Sequence, residues 1–430
     1  MPTHSAYRTT PWTREQAAAL HRRDGVVTPV IYPPERKLDP ELHIWDTWLV
    51  RDRNGEIADI GGYRAIVALT APSGLLPGKR HDVATLRYFY SADGREWETG
   101  GRVFPETEPL GQRQWAGSTV RLEGESLVVY YTAAGDETHD ELTYSQRIAA
   151  ATGGRIHADD DGVHIEGPFT HETILRPDGE RYETEQQSRG MIYTFRDPWY
   201  WEDDGEVYLL IEGNTPVPEG SDRCDGDPAQ QEFNGNVGIA HSPTGDPTDF
   251  ELMDPLVDAV CVNQELERPH LVTRDGRYYL FISSHKHTFA PGLDGFDALY
   301  GFVSDDLFGP YEPLNGDGLV VTNPENAPFQ SYSWLAFGHD EEILVTSFFN
   351  YFDYDRPSLD DVGFLPEEEQ FRRFGGTLAP TVRLRVDGTE TEIVGELNHG
   401  HIPLPDEPLP ERFDERIARL ADEQARDRSY

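Results

Sequence analysis

The sequence predicts an all-β chain built from repeated strand units, with short helices at its two ends. Three observations carry that reading. Short apolar or alternating runs follow turn residues throughout the middle of the chain, a strand–turn–strand unit recurs at intervals of tens of residues, and helical periodicity is confined to the ends.

The first observation rests on SLVVYYTA from Ser126, EVYLLIEG from Glu206, YYLFISS from Tyr278 and EILVTSFF from Glu342, which follow turns such as Asp203-Asp204-Gly205 and Asp275-Gly276. The second rests on RYFYSADGREWE from Arg87, VGIAHSPTGDPTDFELM from Val237 and YGFVSDDLFGPYEPL from Tyr300; in each a strand ends in Ser, a polar turn follows, and the next strand carries an aromatic. Radially arranged four-stranded sheets, a β-propeller, fit this recurrence. A sandwich fits the strand count nearly as well, and the pattern alone leaves both open. The third rests on Thr13-Arg14-Glu15-Gln16, a cap-like start to an Ala-rich run, and on Ile417, Leu420 and Ala421 at helical spacing in the tail.

Composition narrows the partners. Asp and Glu number 78 against 37 Lys and Arg, a net charge of −41, and only Lys37, Lys79 and Lys286 are lysines. The acids are spread along the chain, with short runs at 159–161 and 367–369. A uniformly acidic, lysine-poor surface is an adaptation to high salt, where screening removes its self-repulsion. It excludes nucleic acid and anionic membranes as partners, because phosphate binding needs clustered Lys and Arg. No run approaches the ~18 apolar residues that would span a bilayer. The opening MPTHSAYRTTPWTREQ has no basic start followed by an apolar stretch, so no secretory signal is visible. The two cysteines, Cys224 and Cys261, have no metal-type spacing; on residues alone they are either separate buried thiols or one disulfide.

Three clusters place a carboxylate beside Trp or Arg: Trp45-Asp46-Thr47-Trp48, Phe195-Arg196-Asp197-Pro198-Trp199 and Glu265-Leu266-Glu267-Arg268-Pro269. Sugars call for this mixture, an aromatic face for the C–H side of the ring and charged forks for the hydroxyls. Glycoside chemistry needs one ionised carboxylate and one protonated acid. Arg196 is expected to keep Asp197 ionised, and Glu265, two residues from Glu267, is expected to raise the pKa of Glu267. Any one cluster, in a chain with this many acids, reads equally as a solvated loop; their joint occurrence is what counts.

In order along the chain, WD-T-W, FRDP and E-x-ERP resemble the signature blocks of glycoside hydrolase family 68, the levansucrases and inulosucrases. So do Arg113-Gln114-Trp115-Ala116-Gly117-Ser118, Glu212-Gly213-Asn214-Thr215, Asn234-Gly235-Asn236-Val237-Gly238, Ser284-His285-Lys286, Leu307-Phe308-Gly309-Pro310-Tyr311 and Gly375-Gly376-Thr377-Leu378-Ala379-Pro380, which carries the similarity from about residue 40 to 395. The resemblance implies a single domain over 1–430: a five-bladed propeller at about 40–395, with 1–39 and 396–430 as extensions packed on it. It implies Asp46 as nucleophile, Asp197 as transition-state stabiliser and Glu267 as acid/base. Trp45, Trp115 and Arg196 fall around the fructosyl unit, and Glu265, Arg268, His285 and Tyr332 around the glucosyl or acceptor side. Trp48 and Trp199 are expected in packing, with His287 a bystander of His285.

The implied activity is retaining fructosyl transfer from sucrose to a growing β-fructan and to water, by a monomer without metal or other cofactor. Ala116 stands where some relatives have Ser, and Trp334 where many have His; Trp334 and Glu265 depart from the signal-less levansucrase pattern and tilt the product toward inulin-type linkages. Some members of the family tie the two cysteine loops together, which implies a Cys224–Cys261 bond and, with it, action outside the cell; a cytoplasmic location is the alternative. A purely hydrolytic β-fructofuranosidase competes with this reading, but the N-D-P-N and E-C blocks usual in such enzymes are absent. A non-catalytic fructan-binding propeller competes less well, since all three carboxylates are present.

The charge yields a first prediction. The Debye length falls from ~10 Å at 0.1 M salt to ~3 Å at 1 M, so the melting temperature should climb steeply over that range. A salt-independent melt would contradict the halophilic reading.

Overall fold

Acid-Gly pairs make the tight turns. Asp204-Gly205 joins the Phe195–Asp203 and Glu206–Asn214 strands and Asp275-Gly276 joins Glu267–Arg274 to Arg277–Ser284, with all four residues at positive φ. That is the handedness which lets a two-residue turn follow the twist of its strands. The computed structural model describes residues 7–105 and 109–427 and is mostly β.

The strands form sheets of nine, six, five and five members, each built from antiparallel runs. In the nine-stranded sheet two runs join where Val50, Arg51 and Asp52 pair in parallel with Thr119, Val120 and Arg121. Leading the runs are Leu42–Asp52, Arg113–Arg121, Phe195–Asp203, Glu267–Arg274 and Ser331–His339. Each packs against the next and the last closes on the first, so they make a ring. Below they are the Asp46, Trp115, Asp197, Glu267 and Tyr332 strands.

Each of these strands loses register near its start: between Trp45 and Thr47, Trp115 and Gly117, Arg196 and Trp199, Glu267 and His270, and Tyr332 and Leu335. Such bulges re-aim a side chain out of the alternating pattern. Sequence dictates them locally. Pro198 and Pro269 have no N–H to give the ladder. A Cβ on Gly117 would lie 2.0 Å from the Tyr130 carbonyl oxygen, so the Trp115 strand comes this close only as glycine.

The core is filled by large rings, as the aromatic content suggests. Trp12, from the N-terminal extension, packs on Phe289, Tyr300 and Phe302 with centroids 5.7, 5.3 and 5.6 Å away. Thr10–Pro11 pairs in parallel with Val257–Asp258, and Thr13 and Gln16 form a reciprocal capping box on the Arg14–Ala18 helix. At the other end the Phe413–Asp427 helix touches the Glu390–His399 strand but leaves Ile417 and Leu420 exposed, so its apolar face is not buried.

Helical structure is not confined to the ends. A helix spans Glu367–Arg373 and 3-10 turns span Pro77–Val83 and Asp360–Phe364. The acidic run at 367–369 is the first turn of that helix, with Arg372 and Arg373 in its last turn, each charge matched to the helix dipole.

Cys224 and Cys261 are bonded, with Cα atoms 5.5 Å apart and 37 residues apart in sequence. The bond ties the loop after Glu206–Asn214 to the segment entering the Glu267 strand. For a loop of this length the chain-entropy model gives about 3–4 kcal/mol. Cys224→Ser should therefore lose stability of that order in denaturant melts, and thiol titration of the unreduced, denatured protein should find no free thiol.

Candidate active site

At the ring's upper end the bulges turn four residues inward, each at positive φ: Asp46 (42°), Asp197 (59°), Arg268 (51°) and Ser333 (57°). A non-Gly residue held there is a local cost borne by the surrounding ladder. Above them opens a cavity of about 330 Å³, with Trp45, Asp46, Glu267, Arg268, His285 and Tyr332 among its lining residues.

Arg268 ties the bulges together. Its backbone N–H donates to Asp197 Oδ2 at 3.0 Å, and its guanidinium donates to the carbonyl and hydroxyl of Ser333, both at 2.7 Å, and to the Thr47 carbonyl. Burial raises the pKa of Asp46, opposed by Arg268, by a hydrogen bond from Ser333 and by Arg80, and assisted by Glu267. Asp197 lies beneath, 7 % exposed, and its N–H donates to Thr132 Oγ1 at 2.9 Å. The Thr132 hydroxyl in turn donates to the Ala116 carbonyl at 3.0 Å.

Arg196 is the hub of the acids. Its Nε–H donates to Glu212 at 2.7 Å, and its Nη2 reaches Glu265 at 3.1 Å and Glu267 at 2.9 Å. Asp197 is 4.0 Å from Nε, without a hydrogen bond. The expectation that Arg196 keeps Asp197 ionised is corrected accordingly. Burial outweighs the guanidinium, Glu267 and Asp46 add repulsion, and the Asp197 pKa is pushed up from 3.8 to about 7. Glu212, fully buried, is raised well above its ordinary value by burial, against the pull of Arg196.

Tyr332 donates its hydroxyl to the second oxygen of Glu267 and stacks on His285, ring centroids 3.6 Å apart. His285 Nδ1 lies 2.9 Å from Asp297 Oδ2; burial disfavours its charge, but Asp297, Glu267 and Glu265 favour it more, and its pKa rises to about 9. Trp45 is fully buried, with the Arg80 guanidinium 5.4 Å from its ring centroid and the His81 ring edge-on at 5.3 Å. Half-buried Trp115 donates its indole N–H to the His81 carbonyl at 3.3 Å.

All ten residues singled out in the sequence thus gather at this end of the ring, although Asp197, Arg196, Glu265 and Trp115 lie behind or beside the cavity lining rather than on it. Trp48 is packed in the core, donating its indole N–H to Thr119 Oγ1 at 2.9 Å, Trp199 packs under Arg51 away from this cavity, and His287 stacks on His285 at 5.0 Å. Missed by sequence reasoning were Arg80, His81, Ser333 and Asp297. Ser333 sits inside Ser331-Tyr332-Ser333-Trp334, where the positional parallel with Asp46 and Asp197 was available; Arg80-His81, on the Pro77–Val83 turn, and Asp297 carried no signal. Among the described residues, no group of three or more His, Cys, Asp or Glu side chains is arranged to hold a metal ion.

Comparison with known proteins follows the same lines. The glycoside hydrolase family 68 model, described as levansucrase/invertase, matches residues 1–403. A levansucrase of Erwinia amylovora is 36% identical over 429 residues, covering 92% of this chain and 97% of its own. An extracellular sucrase of Zymomonas mobilis is 34% identical over 423 residues, covering 93% and 98%. Among solved structures, an inulosucrase from Halalkalicoccus jeotgali bound to kestose superposes with a TM-score of 0.92 at 61% identity, covering 94% of this chain and all of that one.

The elevated Asp197 pKa has a thermodynamic consequence. A carboxyl that binds its proton more tightly folded than unfolded lends stability at low pH, and this is lost as pH rises from about 4 to about 7. Asp197→Asn should therefore melt higher than the parent at pH 8, by up to about 4 kcal/mol of stability, and like it near pH 4.5. Equal melts at both pH values would show that Asp197 is ionised without cost.

Proposed function

Because the chain belongs to glycoside hydrolase family 68, whose levansucrases and inulosucrases are fructosyltransferases, we propose that it moves the fructosyl unit of sucrose through a covalent intermediate on Asp46. The observation that carries this assignment is the convergence of Asp46, Asp197 and Glu267 from three bulges of one ring, with Arg268 and Arg196 set among them. In the first step an Asp46 carboxylate oxygen bonds to the fructosyl anomeric carbon as the bond to the glucosyl oxygen breaks. Glu267 gives that oxygen its proton and leaves glucose. In the second step Glu267 takes a proton from water or a sugar hydroxyl, which displaces Asp46. Asp197 faces the positive charge that builds on the ring, and Arg196 holds the neighbouring acids in place beside the fructosyl unit, with Glu265 toward the glucosyl or acceptor side. Trp45 and Trp115 wall the fructosyl side; Arg268, His285 and Tyr332 order the glucosyl and acceptor side.

We read the closed ring of leading strands as the centre of five blades, the whole chain as one domain and the enzyme as a monomer. The 61%-identical inulosucrase and the departures at Trp334 and Glu265 favour β-(2→1) linkages; the levansucrase relatives, at 36% identity and below, weigh less. The Cys224–Cys261 bond favours action outside the cell, as does the extracellular sucrase relative. The acidic surface and the haloarchaeal source of the inulosucrase support work in high salt.

Asp46→Asn should abolish glucose release from sucrose with the fold intact. Glu267→Gln should lose ~10²–10⁴-fold in kcat on sucrose and much less on a fructosyl donor whose leaving group needs no proton. Equal losses on both donors would remove Glu267 from the acid role, and NMR of the polymer reads the linkage directly.

A further inference from the structure

The far end of the ring holds a second cavity, of about 500 Å³, where the leading strands run out. Arg51, near the end of the Asp46 strand, reaches it and is 3 % exposed. Its Nη2–H donates to the Tyr200 carbonyl at 2.8 Å and its guanidinium lies 3.5 Å from the ring centroid of Trp199. Its Nε–H is buried with no acceptor, and no carboxylate pairs with it among the described residues. In a chain with 78 acids, this buried cation is left without a counter-charge.

Other lining residues repeat the pattern. The indole nitrogens of Trp199 and Trp201 are buried without a hydrogen-bond partner, whereas Arg274 Nε lies 3.5 Å from Asp275 and His339 Nε2 3.8 Å from Asp340. Of the acids on the lining, Glu342 is already held by Arg383 at 2.7 and 2.9 Å and by Arg412 at 2.8 Å. Glu56 accepts from Asn54 at 3.1 Å, and Asp340 is 66% exposed at its side chain. The cavity thus presents a surplus of donors and an uncompensated charge, and both are costly to bury unless something supplies the missing acceptor.

We propose that this basal cavity is a binding site for a small monovalent anion, chloride in the salt where the protein works, with Arg51 as its anchor. The protein's overall charge repels anions at long range, but at molar salt the Debye length of ~3 Å leaves only the local pair. An anion bound to the folded state alone stabilises it in proportion to the logarithm of its concentration. Burial pulls the Arg51 pKa down to about 9, with Tyr200 opposing, so the guanidinium is still charged at neutral pH and an anion would hold it so.

The test is crystallographic and thermal, on the full chain. Crystals soaked in molar sodium bromide should give an anomalous bromine peak within hydrogen-bond distance of the Arg51 guanidinium. At matched ionic strength, the melting temperature should be higher in sodium chloride than in sodium gluconate, by about 2 °C or more. Arg51→Met should erase that difference and Arg51→Lys should keep most of it. Water alone in the cavity overturns the proposal. So does bromide there with identical melts in both salts (an adventitious ion only), or a chloride increment that survives Arg51→Met. If Arg51→Met does not fold, the bromide peak and the parent's chloride-specific melt decide the matter.

Discussion

A break in strand register, repeated at one height on five touching strands, is the constraint on which the rest of the site depends. A regular strand places alternate side chains on opposite faces of its sheet, and no such pattern would point Asp46, Asp197, Arg268 and Ser333 at one axis. The bulge supplies the turn, at the cost of left-handed backbone at four non-glycine positions. Because the strands close into a ring, each bulge is buttressed by its neighbours. Arg268 makes that coupling explicit by bonding to the Asp197, Ser333 and Thr47 segments at once.

The same geometry concentrates negative charge. Asp46, Asp197, Glu212, Glu265 and Glu267 lie around three guanidinium groups, Arg196, Arg268 and Arg80, and the His285 ring, and the acids outnumber the cations. Burial raises carboxyl pKa values there, as at Asp197 and Glu212. A fructosyl transition state carries positive charge on its ring, so in the proposed reaction it would supply the missing cation and return Asp197 to its ionised form. An interaction of that kind is made with the transition state and not with the neutral ground state, which is how binding energy favours a transition state.

How much of this the sequence disclosed depends on the length scale. Turn pairs such as Asp204-Gly205 and the apolar runs between them fixed strand positions, because those signals are local. The carboxylates were legible because each sits with Trp, Arg or Pro in a short block, and Pro198 and Pro269 even mark where the ladder must break. Closure into a ring was not legible from the strand pattern, since it depends on the Leu42–Asp52 strand meeting the Ser331–His339 strand from the far end of the chain. Arg80 and His81 reach Trp45 from a loop that pairs with nothing nearby in sequence. The electrostatic inference at Asp197 failed for a related reason: adjacency to Arg196 said nothing about burial, and the guanidinium turns to three glutamates on other segments.

The acidic surface and the acidic site obey opposite rules although one residue type builds both. Surface carboxylates are separated by water, and at molar salt each sees little beyond ~3 Å. The carboxylates around Arg196 are buried, and the ions that screen the surface do not come between them. Salt can therefore relax the repulsion that opposes folding without weakening the field at the candidate site. A chain that placed the proposed catalytic acids on an open groove would have lost that field in the very salt its surface requires. Setting them on inward-turned bulges, behind a tyrosine, a histidine and two tryptophans, separates the two demands.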